Sequence, residues 1–317
     1  MTAGAGPSRD SSLEHYLLLL LSDSNLPTGG FVASSGLESW IQHGNLAPRA
    51  EAQVALLAFV AHSLHSYARL NIPLVRKTHA AVASLDSDSA GDVDVDAVLD
   101  AVLAADALCD ALTLNHVARR ASTAQGVALL TLYERAFAPD TAAPVKELVA
   151  RYRRAIRAGQ GGGTAVEGGN GHMSVAFAVL TAAVGLGLDA ATHLFLFLHA
   201  RSLLSSAVRL NAVGPYVAHR LLLWDVKPLV DAAVAATLSP VSASAPEEPL
   251  RLLALAGADE ERPKRADDWW DDDPAWADVW GYNEDTPTGD GAPVTTWPLG
   301  EIIASRHDQL FTRVFNS

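Results

Sequence analysis

The sequence is dominated by one repeating pattern, in which apolar side chains recur every three or four residues. After Pro48 this pattern places four apolar side chains on one stripe, Leu57, Val60, Leu64 and Ala68. Such spacing is typical of amphipathic α-helices. It returns in the ranges 93–114, 117–137, 144–158, 173–186 and 190–210, while alternation over more than four residues is absent and Ala and Leu dominate over Val, Ile and Thr. We therefore predict an all-α fold, a single compact multi-helix bundle.

The charge and cysteine content exclude several classes of protein. The chain carries 23 Lys and Arg against 36 Asp and Glu, a formal net charge of −13, whereas phosphate affinity needs excess cations. Its one cysteine, Cys109, excludes an internal disulfide framework and every multi-cysteine metal site. The most apolar stretch, 173–188, is shorter than the about 20 residues that span a bilayer. We expect a cytoplasmic protein that binds neither nucleic acid nor membranes.

Two segments interrupt the helical pattern. Residues 159–171 contain seven glycines in thirteen positions, which predicts a flexible linker. Between Asp267 and Asp290 there are nine acidic residues, no Lys or Arg, and four of the seven tryptophans. This composition predicts an acidic mobile insertion. It is either a solvated loop or, in a sharper interpretation, a docking segment for a basic partner with tryptophan anchors.

These features divide the chain into four parts. The predicted parts are a disordered N-terminus (1–12), a helical domain (13–239) with its glycine-rich linker, the acidic tryptophan-rich insertion (240–298) and a C-terminal docking tail (299–317).

One motif suggests an enzyme. Asp267, Asp268 and Asp271 fit the D-D-x-x-D pattern of isoprenoid-diphosphate enzymes, which are also all-α and hold Mg²⁺ with carboxylates on one helix face. Pro274 follows three residues later and no second Asp-rich motif faces the first, so this function remains an alternative only. His62 and His65 lie one helical turn apart without a nearby carboxylate, which favours a solvated pair over a metal site. The sequence therefore shows no catalytic constellation, and we predict no enzyme activity and no cofactor.

The segment 22–38 predicts a corner between two helices. The first helix should stop near Asp23. Pro27 holds the preceding residue extended, and Gly29-Gly30 permits a sharp reversal. A second helix should start near Ser34 or Ser35, with Glu38 placed as in a capping box.

The last twelve residues are amphipathic but too few to fold alone. Burying Leu310, Phe311, Val314 and Phe315 would gain about 1.5–3 kcal/mol each. Ordering the backbone costs about 1–2 kcal/mol per residue, which is more in total. We therefore expect the tail to become ordered against another surface, either its own bundle or a partner.

Both of these segments resemble signatures of the urease accessory protein UreF family. SDSNLPTGGF (22–31) with SGLE (35–38) is similar to the N-terminal motif, and SRHDQLFTRVFNS (305–317) is similar to the C-terminal ending. The stretches 171–172 and 206–210 also look like family positions. Departures are the apolar start of Val32-Ala33-Ser34-Ser35, Val314 in place of Leu, and the insertion itself.

The resemblance implies a non-enzymatic scaffold that holds no metal of its own. It would bind a UreD/UreH-like accessory protein, recruit a UreG-like GTPase and support nickel insertion into apo-urease, commonly as a homodimer. The residues that it marks for partner binding lie in the loop and the tail: Pro27, Gly29, Gly30, Glu38, Arg306, His307, Phe311, Arg313 and Phe315.

Overall fold

The structure is a computed structural model that describes residues 11–46, 52–86, 94–138, 141–160, 168–238 and 293–317. Within these ranges the chain forms helices and turns without a β-strand, which confirms the predicted all-α class. The α-helices are α1 (Ser11–Leu21), α2 (Leu37–Gln42), α3 (Ala52–Ala83), α4 (Val95–Leu112), α5 (His116–Leu132), α6 (Ala143–Gln160), α7 (Met173–Ala183), α8 (Leu188–Arg209), α9 (Pro215–Leu221), α10 (Lys227–Leu238) and α11 (Pro298–Ser305).

The bundle is built around α3 and α7. The 32-residue α3 buries its predicted stripe and packs against α4, α7, α8 and α10. Every residue of α7 from 174 to 182 is buried, because its sequence has no charged residue with which to face water. Helix α5 packs on α7, and α6 packs on α4. The buried apolar side chains form one continuous core, so the predicted compact bundle is confirmed.

A proline marks the boundary between α9 and α10. Pro228 is the second residue of α10, and a π-helical turn (Leu222–Val226) separates α9 from α10 just before it. A proline lacks the N–H that the carbonyl four residues earlier would accept, and a wider turn accommodates this loss. Helix α8 begins at Leu188 after Gly187, and Asp189 lies in its first turn.

The predicted segment boundaries fall partly outside the described residues. Most of the N-terminus, the centre of the glycine-rich linker and residues 239–292 lie outside them. The described edges are structured, because α1 already begins at Ser11 and residues 293–297 continue into α11. The four-part division otherwise stays a prediction. In the part of the chain that is described, no helix combines the length and the apolar character needed to cross a membrane.

Candidate functional site

The loop (residues 22–36) and the tail (residues 293–317) meet each other at one end of the bundle. The backbone N–H of Asn316 donates to Val32 O at 2.9 Å, and that of Ser34 donates to Ser317 O at 2.5 Å. The 3₁₀ turn Gly30–Val32 lies directly before this pairing. The two segments that resemble family signatures, almost 270 positions apart in the sequence, therefore form one surface.

Glu38 is the anchor of the tail. This carboxylate is fully buried at the start of α2. Its Oε1 accepts the backbone N–H of Val314 at 2.6 Å, and its Oε2 accepts that of Phe315 at 3.0 Å. The Nε2 of His307, also fully buried, lies 3.1 Å from Oε2. A buried carboxylate must be paired and hydrogen-bonded to be tolerated, and the tail supplies all three of these partners.

The capping box predicted for Glu38 is wrong. Helix α2 begins after Gly36, whose φ of 84° is left-handed, and no side chain caps it. In a capping box the side chain of Glu38 would accept a hydrogen bond from the backbone N–H at the start of its own helix. Here the carboxylate accepts hydrogen bonds from the tail instead. The backbone partners of Glu38 therefore come from the distant tail and not from its own helix.

The C-terminal half of α8 holds the loop and the tail together. The guanidinium of Arg209 lies 4.2 Å from the ring centroid of Phe315, within cation–π range. The same guanidinium donates to the carbonyl oxygen of Phe31, and Arg201 donates to that of Ser22. Burial lowers the pKa of Arg209. Because Arg209 touches both segments, it fixes their relative position.

Asp308 is the centre of a charge cluster on the tail. Arg120 of α5 binds it with two hydrogen bonds of 2.9 Å each, and Arg313 adds one of 3.1 Å. His116 Nε2 lies 3.4 Å from the carboxylate. The bonds from Arg120, with the charges of Arg120, Arg313 and His116, lower the pKa of Asp308 to about 2. Sequence reasoning missed Arg120 because nothing local marks it.

Helix α11 approaches α2 closely enough to require glycine. A Cβ on Gly36 would lie 2.8 Å from the Cβ of Ala304, closer than side chains normally come. Next to this contact, Ser39 Oγ donates to the carbonyl oxygen of Ile303 at 2.6 Å. On the other side, Asn115 Nδ2 lies 3.4 Å from Glu301 O. Gly36 therefore serves both the left-handed turn and the docking of the tail.

Trp297 joins the tail to the core just before α11. Its ring packs with Trp40 and Phe59 and stacks on His62 at a centroid distance of 5.5 Å. His62 is thus partly buried, not solvated as predicted, and its burial lowers its pKa.

A proline in α3 leaves one backbone carbonyl of that helix available to accept a hydrogen bond from the tail. Pro73 cannot donate the helical hydrogen bond to Arg69 O, and the backbone N–H of Val294 lies 3.3 Å from that oxygen.

The nine predicted partner-binding residues divide by exposure. Glu38, His307 and Phe315 are buried within this chain, where they hold the tail. The remaining residues are accessible in whole or in part: Pro27, Gly29, Gly30, Arg306, Phe311 and Arg313. Phe311 is fully exposed, and Phe31, Leu299, Ile302 and Val314 are also large exposed apolar residues of the loop and tail. The arrangement thus separates residues that order the tail from residues that it presents.

The described part of the chain contains no group of three or more His, Cys, Asp or Glu side chains placed to hold a metal ion. Asp267, Asp268 and Asp271 lie outside the described residues, so the isoprenoid-diphosphate alternative stays an untested prediction.

Comparison with known proteins gives the same family that the two motifs suggested. The sequence model of UreF matches residues 51–224. Urease accessory protein 6 of Cryptococcus neoformans var. grubii is 36% identical over 343 aligned residues, covering 97% of this chain and 98% of the relative. The chain belongs to the UreF family. The match to the Cryptococcus protein also extends well beyond the region that the UreF model covers, since it takes in nearly all of both chains.

More distant UreF relatives cover a smaller part of the chain. Urease accessory protein UreF of Arthrobacter sp. is 32% identical over 202 residues, which are 64% of this chain and 74% of the relative. Urease accessory protein F of Oryza sativa subsp. indica is 30% identical over 217 residues, which are 68% and 70%. Membership of the UreF family supports a role in urease maturation.

Proposed function

We propose that this UreF family member is a non-enzymatic scaffold in urease maturation. It joins a UreD/UreH-like accessory protein, recruits a UreG-like GTPase and so supports nickel insertion into apo-urease, as a cytoplasmic homodimer within that complex. The observation that carries the proposal is the match over nearly the whole chain to a protein named as a urease accessory protein.

The geometry of the loop and tail supports a docking role. Together the loop and the tail expose five large apolar side chains: Phe31, Leu299, Ile302, Phe311 and Val314. Leu299 and Ile302 are three residues apart and share a face of α11. Exposed apolar surface of this kind marks sites of protein association, and aromatic residues carry much of the binding energy in such sites.

The site residues take two roles in this proposal. Glu38, His307 and Phe315 order the tail on the bundle, whereas Arg306, Phe311 and Arg313, together with the loop around Pro27, contact the UreD/UreH-like partner. The preformed tail lowers the entropic cost of association, because part of its backbone is already ordered before the partner arrives.

The test is co-purification of the full chain with its UreD/UreH-like partner. Phe311→Ala removes a fully exposed ring, so it should leave the helical circular dichroism unchanged and weaken binding about 30-fold, the effect of an anchor worth about 2 kcal/mol. Tyr16→Ala removes an exposed ring from α1 and is the matched control, for which binding should persist. Equal binding by wild type and Phe311→Ala would count against the role of this surface.

A further inference from the structure

A second concave surface lies between α8 on one side and α9 and α10 on the other. This groove has a volume of about 630 Å³. Its walls are mostly apolar, with Phe197 and Leu204 from α8 facing Ala218 and Val230 from α9 and α10. Leu223 lies on its border and is 56% exposed. A groove of this size and character is suited to apolar or aromatic side chains.

The charged residues that line the groove are all cationic among the described residues. They are Arg201, Arg209 and Lys227, with His193 and His219 beside them. Asp231 pairs with both Lys227 at 2.5 Å and His193 at 3.1 Å, and the charge of Asp23 acts on Arg201. Arg201 and Arg209 donate to backbone carbonyls, which leave a full positive charge on each side chain. The groove therefore favours an occupant that is both apolar and negatively charged.

The chain itself contains a segment of that chemistry. Residues 267–290 carry nine acidic residues and four tryptophans without a Lys or Arg. The segment is also connected to the groove, because α10 supplies Val230 and Lys227 to the walls and ends at Leu238. The 28 residues from 239 to 266 span roughly 30 Å as a flexible chain, whereas α10 is only about 18 Å long. The segment can reach the groove without moving any described helix.

We propose that this groove binds the acidic tryptophan-rich segment 267–290 of the same chain. Tryptophan rings fill the apolar floor, and the carboxylates lie against Arg201, Arg209 and Lys227. Binding within one chain benefits from a high effective concentration, so modest contacts suffice. This inference does not depend on the proposed urease function.

Zero-length cross-linking of the full chain tests the proposal. A carbodiimide joins lysine amines to carboxylates only when they are in contact, and the chain has four lysines: Lys77, Lys146, Lys227 and Lys264. We expect cross-links between Lys227 and acids of 267–290. Lys227 with Asp231 is the internal positive control, since their side chains are 2.5 Å apart. Lys264 is uninformative because it is close to these acids in sequence.

Isotope mixing identifies which chain supplies the segment. With equal amounts of ¹⁵N-labelled and unlabelled chain, an intrachain cross-link contains peptides of one isotope only. Leu223→Glu places a like charge at the groove and should reduce the Lys227 cross-links by about tenfold. Leu108→Glu, an exposed leucine on α4 outside the groove, is the matched control.

Three results would overturn the proposal. The first is the absence of cross-links from Lys227 to 267–290 while the Lys227–Asp231 cross-link forms. The second is a mixed-isotope share of about half of the cross-links, which is the share expected when a second copy occupies the groove. The third is a yield of cross-links to 267–290 that is as high from Lys77 and Lys146 as from Lys227. The wild-type pattern alone decides the matter even if a variant fails to fold.

Discussion

Removing the carboxylate of Glu38 should release the tail while the bundle stays folded. Glu38→Ala leaves three donors without an acceptor: the buried backbone N–H of Phe315, the buried imidazole of His307 and the half-buried backbone N–H of Val314. Leaving a buried donor without a hydrogen-bond acceptor costs about 1–3 kcal/mol, so the loss of these three bonds together should cost roughly 3–5 kcal/mol. Each 1.4 kcal/mol corresponds to a factor of about ten, so the attached state should become about 100- to 3000-fold less populated.

Native-state hydrogen exchange measures this release directly. The hydrogen-exchange protection factors of the Val314 and Phe315 amides should fall about 100- to 3000-fold. If their wild-type protection is smaller than this, they should exchange as fast as the amides of an unfolded segment. Protection within α3 and α7 should change much less, because the tail can detach without opening the core. Far-UV circular dichroism should remain close to that of the wild type.

Two variants control for non-specific effects. Glu147→Ala removes an exposed carboxylate that pairs with Arg151 on the surface of α6, and it should leave the tail amides protected. Glu38→Gln retains one acceptor oxygen and should fall between wild type and Glu38→Ala. The reasoning is refuted if the tail amides of Glu38→Ala keep wild-type protection, or if α3 and α7 lose protection to the same extent as the tail.

Three further predictions concern the same bundle. Burial lowers the pKa of His199 to about 3, so the unfolded state takes up the proton first as pH falls. The free energy of unfolding should therefore drop by about 1.6 kcal/mol more in wild type than in His199→Gln between pH 6.5 and 5.0, measured by urea titration. Gly36→Ala should destabilise the tail more than Gly44→Ala does. Both glycines have a left-handed backbone, but only at Gly36 would the added Cβ clash with a neighbour, Ala304. Equal effects of the two variants on hydrogen exchange of the tail would contradict this. A double-mutant cycle of Arg120→Ala and Asp308→Asn should give a coupling of about 1 kcal/mol or less that weakens with salt, and a coupling that is independent of salt would contradict the exposed geometry.

Most of the fold could be predicted from the sequence because helix formation is local. The apolar spacing within α3, α4, α5 and α8 is visible in short windows of sequence, and Pro228 is a local signal for the irregular turn between α9 and α10. The start of α2 was predicted less accurately, because Gly36 took the place of the expected serine cap.

The site was only half predictable, because its decisive contacts are long-range. The motifs identified the loop and the tail, and the tail was expected on its own bundle or on a partner, but no local rule indicates that Glu38 accepts hydrogen bonds from residues 314 and 315. Arg120 and Arg209 sit in helical patterns where an arginine is unremarkable, and only the packed structure brings them to Asp308 and Phe315. Pro73 was the one missed local signal, since a proline inside a helix leaves a free carbonyl.

Urease activity in cells of the source organism tests the central claim most directly. Deleting the gene should leave urease polypeptide present but inactive, and the wild-type gene should restore activity whereas a version ending before Arg306 should not. Fully active urease in cells that lack the gene, at ordinary nickel concentrations, would contradict the account.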